Sequence, residues 1–142
     1  MSFFPGLEFV FVHSYSSNES NWHEVVLGSL GRDGRLPTAL RYGEALSIPV
    51  VADDLLDKRN HELFREYGIL NLMTACRTAD EVESALSYSQ FGRILFVSSP
   101  DHLPRVVRDV LARGGRGATF AASEVEFSLA GVAGVEILEP AR

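Results

Sequence analysis

The sequence predicts an α/β fold: a three-layer α/β/α Rossmann-like sandwich with a mostly parallel central sheet of about five strands. Short apolar runs, rich in β-branched and aromatic residues, alternate with longer segments of helical periodicity. The runs are continuously apolar, which is typical of strands buried on both faces of a parallel sheet. The 142 residues contain no repeat, linker or low-complexity segment. We therefore expect a single domain over residues 1–142.

The strand and helix segments follow one another along the whole chain. Strands are predicted in the short runs that are densest in apolar residues, namely residues 8–14, 47–54, 69–73, 93–99, 117–123 and 134–138. Helices are predicted where apolar residues recur every three or four positions, namely residues 37–46, 57–67, 77–90 and 101–113, with a short helix near 21–28. This alternation favours right-handed crossovers between parallel strands.

Individual residues predict helix ends and apolar faces. Thr78 followed by Glu81 has the spacing of a capping box, so we expect Thr78 to cap the helix that follows. In the last helix we expect a buried stripe made of Leu103, Val106, Val107, Val110 and Leu111. The same projection places His102, Arg105 and Asp109 together on another face. In the helix at 57–67 we expect one apolar side made of Leu56, Leu63, Phe64 and Tyr67.

The segment 28–35, GSLGRDGR, contains three glycines but no recognised phosphate-binding motif. It does not match G-x-G-x-x-G, and it lacks the G-K-[ST] ending of a P-loop. We expect a turn at Asp33-Gly34 instead.

Charge and cysteine content narrow the class of protein. A formal net charge of −6 argues against a nucleic-acid-binding surface, which needs clustered lysine and arginine. The single cysteine, Cys76, cannot form an internal disulfide. No apolar run approaches the roughly 20 residues that span a bilayer, and the N-terminus does not read as a signal peptide. We expect a cytoplasmic protein with a small-molecule ligand and neither nucleic acid nor membrane as partner. A homo-oligomer is left open.

The residues that follow the predicted strands mark the expected site. In an open α/β sheet, ligands bind beyond the carboxyl ends of the strands. All of these exits are polar here: His13-Ser14, Asp53-Asp54, Ser98-Ser99 with Asp101-His102, and Ser123-Glu124. Polar residues at strand exits also serve as helix caps in proteins of this class. The pattern therefore predicts where a ligand binds more strongly than which reaction or ligand is involved.

His102 and Arg105 lie at the predicted start of the last helix. Free N–H groups and the positive end of the helix dipole attract an anion there, and Arg105 can add a bidentate contact. The alternative is that Ser99 or Asp101 caps the helix, while His102 and Arg105 are ordinary solvated residues.

Two other strand exits admit both a functional and a structural interpretation. His13 can act in proton transfer or ligand binding, or it can be a histidine hydrogen-bonded beneath the loop at 15–35. Asp53 and Asp54 can bind a ribose or a cation, or they can belong to a loop or a helix start. Two adjacent aspartates without further spaced ligands do not predict a metal site.

Several segments, in order, resemble the YdcF-like family, the group that includes SanA and ElyC. FVSSPDHLPRVV (96–107) is similar to the family's strand followed by H-[ML]-x-R-A, with His102 and Arg105 in place. TADEV (78–82) resembles its T-x-E-N-A segment, and DGRLPTALRYGEAL (33–46) makes Arg41 the match to a family arginine. The resemblance covers residues 9–116. It implies a Rossmann-like fold with a polar crevice, and either S-adenosylmethionine binding or a role in cell-envelope maintenance.

The chain departs from that family at two strand exits. The family's glycine-rich turn after the first strand is replaced by VHSYSS, and its S-G-G after the second strand by VADD. These departures put a nucleotide or phosphate ligand in doubt. SanA-like members carry a membrane anchor; we expect none here, and an envelope role is therefore the less expected of the two.

Taken together, these patterns predict a Rossmann-like protein that binds an anionic or nucleotide-like small molecule at the strand exits. The cofactor is unknown, with S-adenosylmethionine as one candidate from the resemblance. The expected ligand-binding residues are Arg105, Ser98, Ser99, Asp53, Thr78, Asp80, Glu81 and Arg41. If the protein is an enzyme, which the sequence leaves open, the expected proton-transfer residues are His102 and His13. The alternatives are a non-catalytic interaction or regulatory protein, and a hydrolase or transferase that uses His13 and His102.

Overall fold

Parallel strands form the central sheet of the computed structural model, which describes residues 6–128. In chain order the strands are β1 (Phe9–Val12), β2 (Gly28–Ser29), β3 (Arg32–Asp33), β4 (Val50–Ala52), β5 (Leu70–Asn71), β6 (Ile94–Ser98) and β7 (Thr119–Ala122). Five of them form the sheet in the order β5-β4-β1-β6-β7, with every neighbouring pair parallel. The predicted α/β fold is confirmed. The strand predicted at 134–138 lies outside the described residues.

Helices cover both faces of the sheet. They are α1 (Trp22–Val26), α2 (Arg35–Leu46), α3 (Lys58–Glu66), α4 (Thr78–Tyr88) and α5 (Leu103–Ala112). Successive strand residues point to opposite faces. Val10 and Val12 accordingly join the core that contains residues of α1, α2 and α3. Phe9 and Phe11 join the core that contains residues of α4 and α5. The three-layer arrangement follows from these two cores.

The two central strands explain why the apolar runs are continuous. Every residue of β1 and of β6 is buried, because helices cover the sheet on both sides. The edge strand β7, with the sequence TFAA, has no buried residue, and neither does the short edge strand β5.

The order of the strands contains one topological switch point. From β1 the chain builds outward to β4 and β5, and it then returns to the other side of β1 to form β6 and β7. Loops leave the carboxyl ends of β1 and β6 in opposite directions at such a point, which opens a crevice. The crevice lies beside Val12 and Ser98, the last residues of the two strands.

The glycine-containing segment 28–35 forms a hairpin, and the turn predicted at Asp33-Gly34 is wrong. The antiparallel pair β2–β3 is joined by Leu30 and Gly31, whose φ angles are 51° and 81°. Two positive φ values in a two-residue loop are typical of a type I′ turn. Gly34 instead allows a close approach: a Cβ there would lie 2.6 Å from the backbone carbon of Val26.

The capping box predicted for α4 is also wrong. Arg77 occupies the N-cap position without a side-chain cap, and Thr78 is the first helical residue. The Thr78 hydroxyl and the Glu81 carboxyl are bound instead to His102 and His13, respectively. Partners distant in sequence have displaced the local capping contacts.

Several predicted helix faces are wrong in detail. Leu111 is 62% exposed and Leu56 is 71% exposed, although both were expected to face the core. Of the stripe on α5, Val106 and Val110 are fully buried. His102 is buried while Arg105 is exposed, so the two do not share a face. His102 precedes the first residue of α5, and the regular rotation of 100° per residue does not apply to it.

We expect Val110→Ala to lower the free energy of unfolding by about 2 kcal/mol, because it removes buried methyl groups and leaves a cavity. Leu111→Ala changes an exposed neighbour and should cost less than about 0.5 kcal/mol. Urea unfolding of both variants measures the difference. A larger loss for Leu111→Ala would contradict this orientation of α5.

Candidate functional site

A cleft of about 1050 Å³ opens at the carboxyl edge of the sheet. Its lining comes from the loop at 14–18, the residues before and at the start of α3, the start of α4 and the first two turns of α5. This volume is at the upper end of the roughly 300–1,000 Å³ that small-molecule sites occupy. The cleft therefore has room for a ligand of nucleotide size.

A buried arginine, Arg35, ties the two strand exits together beneath this cleft. Its Nε donates to Ser99 Oγ at 2.7 Å, and its Nη1 donates to the carbonyl oxygen of Ser14 at 2.8 Å. The carbonyl of His13 accepts a longer bond, at 3.3 Å. Ser99 follows β6, and His13 and Ser14 follow β1. One guanidinium therefore bridges the switch point.

The Arg35 guanidinium remains a cation although it is only 2% exposed. Burial lowers its pKa to about 10, and Glu81 is the largest influence that opposes this shift. The Tyr15 ring lies under the guanidinium, 5.2 Å from ring centroid to Cζ, and adds a cation–π contact. Neutralising or removing this group would leave several buried acceptors without a donor.

Glu81 and His13 form a second buried contact at the floor of the cleft. His13 Nδ1 lies 3.2 Å from Glu81 Oε1, and Glu81 Oε2 accepts the Ser14 N–H at 2.9 Å. Burial raises the pKa of Glu81 well above its usual value, whereas burial and then the Arg35 cation lower the pKa of His13 to about 3. His13 Nε2 has no hydrogen-bond partner among residues 6–128. His13 is thus neutral at physiological pH.

His102 connects β6 to α4. Its Nδ1 lies 2.7 Å from Ser98 Oγ, and its Nε2 lies 3.1 Å from Thr78 Oγ1. Burial, followed by the nearby Arg35 and His13, lowers the pKa of His102 to about 2. With both ring nitrogens occupied, His102 holds the cleft wall in place and is not a solvated surface residue.

Neither residue that was considered as the cap of α5 caps it. The helix has no side-chain cap, because Ser99 Oγ is bound to Arg35. The Asp101 carboxylate accepts the N–H groups of Phe127 and Ser128, at 2.9 and 3.0 Å.

Of the four aspartates that line the cleft, Asp109 has only a 3.9 Å contact to Arg108 within residues 6–128, and the other three already have hydrogen-bond partners within the protein. Asp53 accepts three hydrogen bonds, from Thr74 N, Thr74 Oγ1 and Ala75 N. Asp54 also accepts three, from Ser14 Oγ, Asn60 Nδ2 and Asp57 N. Asp57 likewise accepts three, from Ser17 N, Ser17 Oγ and Asn60 N. These three aspartates shape the loops and have little capacity left for a ligand.

The cleft is also lined by five cationic side chains: Lys58, Arg59, Arg77, Arg105 and Arg108. Lys58 and Arg105 have no side-chain hydrogen bond or ion pair to any residue in 6–128. The other three have contacts near the surface: Arg59 over the Trp22 ring at 4.3 Å, Arg77 with Asp80 at 3.1 Å, and Arg108 with Asp109 at 3.9 Å. Exposed ion pairs of this kind contribute little and exchange readily.

The structure brings most of the predicted site residues to one place, in two layers. Those that line the cleft are Arg105, Thr78, Glu81 and Asp53. Those buried behind its wall are His13, Ser98, Ser99 and His102. Asp80 is bound to Arg77 beside the cleft, and Arg41 lies apart from it, with a 60% exposed side chain paired to Asp33.

Sequence reasoning missed two central residues, Arg35 and Lys58. Arg35 has no local pattern that distinguishes it from other arginines. Lys58 had one usable signal: it is the only lysine in the chain, and it follows the polar exit of β4.

Neither a metal cluster nor a membrane span is found in the described part of the chain. Within residues 6–128, no group of three or more His, Cys, Asp or Glu side chains could hold a metal ion. None of the helices described there is long and apolar enough to cross a bilayer.

Comparison with known protein families, curated proteins and solved structures gives no match to this chain.

We expect Arg35→Met to lower the free energy of unfolding by about 3 kcal/mol or more. The substitution leaves Glu81 without its buried cationic neighbour and leaves the buried acceptors without a hydrogen-bond donor. Arg41→Met is the matched control on the same helix, and it should cost less than about 0.5 kcal/mol because that side chain is exposed. Urea unfolding of both variants gives the comparison. Equal losses would contradict the structural role of Arg35.

The two buried histidines predict that stability falls with acidification. Below the usual histidine pKa of 6.5 the unfolded chain takes up a proton on each ring, while folded His13 and His102 resist protonation down to about pH 3 and 2. The free energy of unfolding should therefore decrease as the pH falls below 6.5. Glu81 acts in the opposite direction, because its raised pKa favours the folded state at low pH and loses that contribution as the pH rises.

Between pH 6 and 5, His102→Asn should make this dependence shallower by about 1 kcal/mol per pH unit. Urea unfolding at the two pH values measures the slope. His23→Asn, which changes an exposed histidine, is the control and should keep the original slope. An unchanged slope in His102→Asn would count against a neutral, buried His102.

Proposed function

We propose that this chain is a small-molecule-binding protein of the YdcF-like type, and that its ligand is anionic or nucleotide-like. The ligand binds in the cleft at the carboxyl ends of β1 and β6. One observation carries this proposal: Asp53, Asp54, Asp57 and Glu81 of the cleft accept hydrogen bonds from the protein, and Asp109 lies 3.9 Å from Arg108, whereas Lys58 and Arg105 have no side-chain partner within residues 6–128.

This difference in pairing indicates the sign of the charge that we expect on the ligand. A carboxylate that already accepts three hydrogen bonds gains little from a further donor, whereas an unpaired guanidinium can form a bidentate, charge-assisted contact with carboxylate or phosphate. Arg105 lines the cleft from α5, and Arg77 and Arg108 line it as well. The net negative charge of the chain therefore does not argue against an anionic ligand here.

The geometry favours binding over catalysis by the two histidines. Both nitrogens of His102 are occupied, and His13 is fully enclosed behind Glu81. Their low pKa values make both rings weak bases. The pair supports the cleft wall in this proposal and does not transfer protons to a ligand.

The YdcF-like resemblance adds S-adenosylmethionine to the ligands worth testing. Its carboxylate offers the anionic group that Arg105 requires, and its nucleoside suits a cleft of this volume. The glycine turns that the family uses after its first two strands are absent here. The loop at 14–18, held by Asp54 and Asp57, occupies the first of these exits.

We expect a thermal-shift screen of S-adenosylmethionine, nucleotides and sugar phosphates to find a ligand that binds through an anionic group, and Arg105→Ala to abolish the shift. Because Arg105 is exposed and unpaired, the melting temperature without ligand should stay within about 1 °C of the unaltered protein. Arg116→Ala is the control. Arg116 is exposed and precedes β7, so it lies at the amino ends of the strands, and the variant should preserve the shift.

Two results would contradict the proposal. One is the absence of a shift with any anion, which would favour a non-catalytic interaction protein. The other is an Arg105→Ala variant that retains full ligand binding.

A further inference from the structure

The free cations of the cleft lie on opposite walls. Lys58 is the first residue of α3, whose core contacts belong to the α1–α3 layer. Arg105 lies on α5, in the α4–α5 layer across the sheet. The cleft thus crosses the carboxyl edge of the sheet, with one unpaired cation on each side.

The acid beside Lys58 in the chain is already paired, whereas Asp109 lies one turn beyond Arg105 on α5, 3.9 Å from Arg108. Asp57, the residue before Lys58, is occupied by Ser17 and by the N–H of Asn60. Arg59, the residue after it, lies over the Trp22 ring. The Lys58 ammonium therefore has no hydrogen bond or ion pair within residues 6–128 that a ligand would have to break.

A ligand with a single anionic group would use only one of these walls. A group bound to Arg105, with Arg77 and Arg108 beside it, would leave Lys58 without a partner in the same cleft. A ligand with anionic groups at both ends would pair both walls, and a cleft of about 1050 Å³ has room for its body between them.

We infer that the ligand carries two separated anionic groups, as a sugar bisphosphate does, one bound by Arg105 and the other by Lys58. This inference rests on the proposed function and specifies its ligand class. Arg105 forms the contact that any anionic ligand needs. Lys58 distinguishes a ligand with two anionic groups from a ligand with one.

Binding of matched sugar phosphates tests the inference by calorimetry, with fructose 6-phosphate and fructose 1,6-bisphosphate as probes. The bisphosphate should bind about tenfold more tightly or better, because a second charge-assisted contact forms. Lys58→Ala should reduce this ratio to about one, and Arg105→Ala should weaken both probes. Arg65→Ala, at the exposed far end of α3, is the matched control and should keep the ratio.

The single lysine allows a second measurement on the unaltered protein. Acetylation by an amine-reactive ester has two targets in the chain, the Lys58 side chain and the N-terminal amine, and mass spectrometry resolves them. Saturating bisphosphate should slow acetylation of Lys58 at least fivefold relative to the N-terminal amine. Fructose 6-phosphate at saturation should not.

The outcomes separate the two claims. Equal affinity for both probes, or no protection of Lys58 by the bound bisphosphate, overturns the two-anion inference while the Arg105-dependent site stands. A third result also overturns the inference and leaves the site standing. In that result neither probe binds, but S-adenosylmethionine or another ligand with one anionic group binds through Arg105. If no anion binds at all, the proposed function fails and this inference fails with it.

Discussion

The buried charge of Arg35 is the constraint on which the carboxyl edge of the sheet depends. A cation enclosed in protein is tolerated only when it is paired and its donors are satisfied. Here the donors reach Ser99 after β6 and the carbonyl of Ser14 after β1. Glu81 approaches from α4 and binds the Ser14 N–H as well as His13. The first loop is therefore held from both sides, and the floor of the cleft is set before any ligand arrives.

In this arrangement most polar groups of the cleft floor are paired within residues 6–128, whereas two cations on the rim are not. The buried serines, histidines and acids of the floor bind one another, whereas Lys58 and Arg105 on the rim remain unpaired within the described residues. A floor that is already ordered reduces the conformational entropy that the protein loses on binding, and the unpaired rim cations supply the attraction. The absence of the glycine turns is consistent with this division, because side chains, and not only backbone N–H groups, form the binding surface.

The fold and the location of the site were predictable because they depend on patterns that repeat along the chain. The continuous apolar runs of β1 and β6 indicate burial on both faces, and polar residues after parallel strands must meet at one edge. Arg35 was not predictable. It lies six residues before the exposed Arg41 in the same helix. The two arginines differ because Arg35 donates a hydrogen bond to Ser99, which lies 64 residues further along the chain. The local capping signal at Thr78 likewise failed because its hydroxyl is bound to His102.

We propose that an anion binds where the loop after β1, the start of α4 and the first turns of α5 meet. An NMR titration of the ¹⁵N-labelled protein with ADP and with fructose 1,6-bisphosphate tests it most directly. We expect saturable shifts concentrated at residues 14–18, 77–81 and 103–108, together with a shift of the guanidinium signal of Arg105. Shifts confined to the opposite edge of the sheet, around residues 113–118, would contradict it, as would the absence of a saturable shift with these two anions and with S-adenosylmethionine.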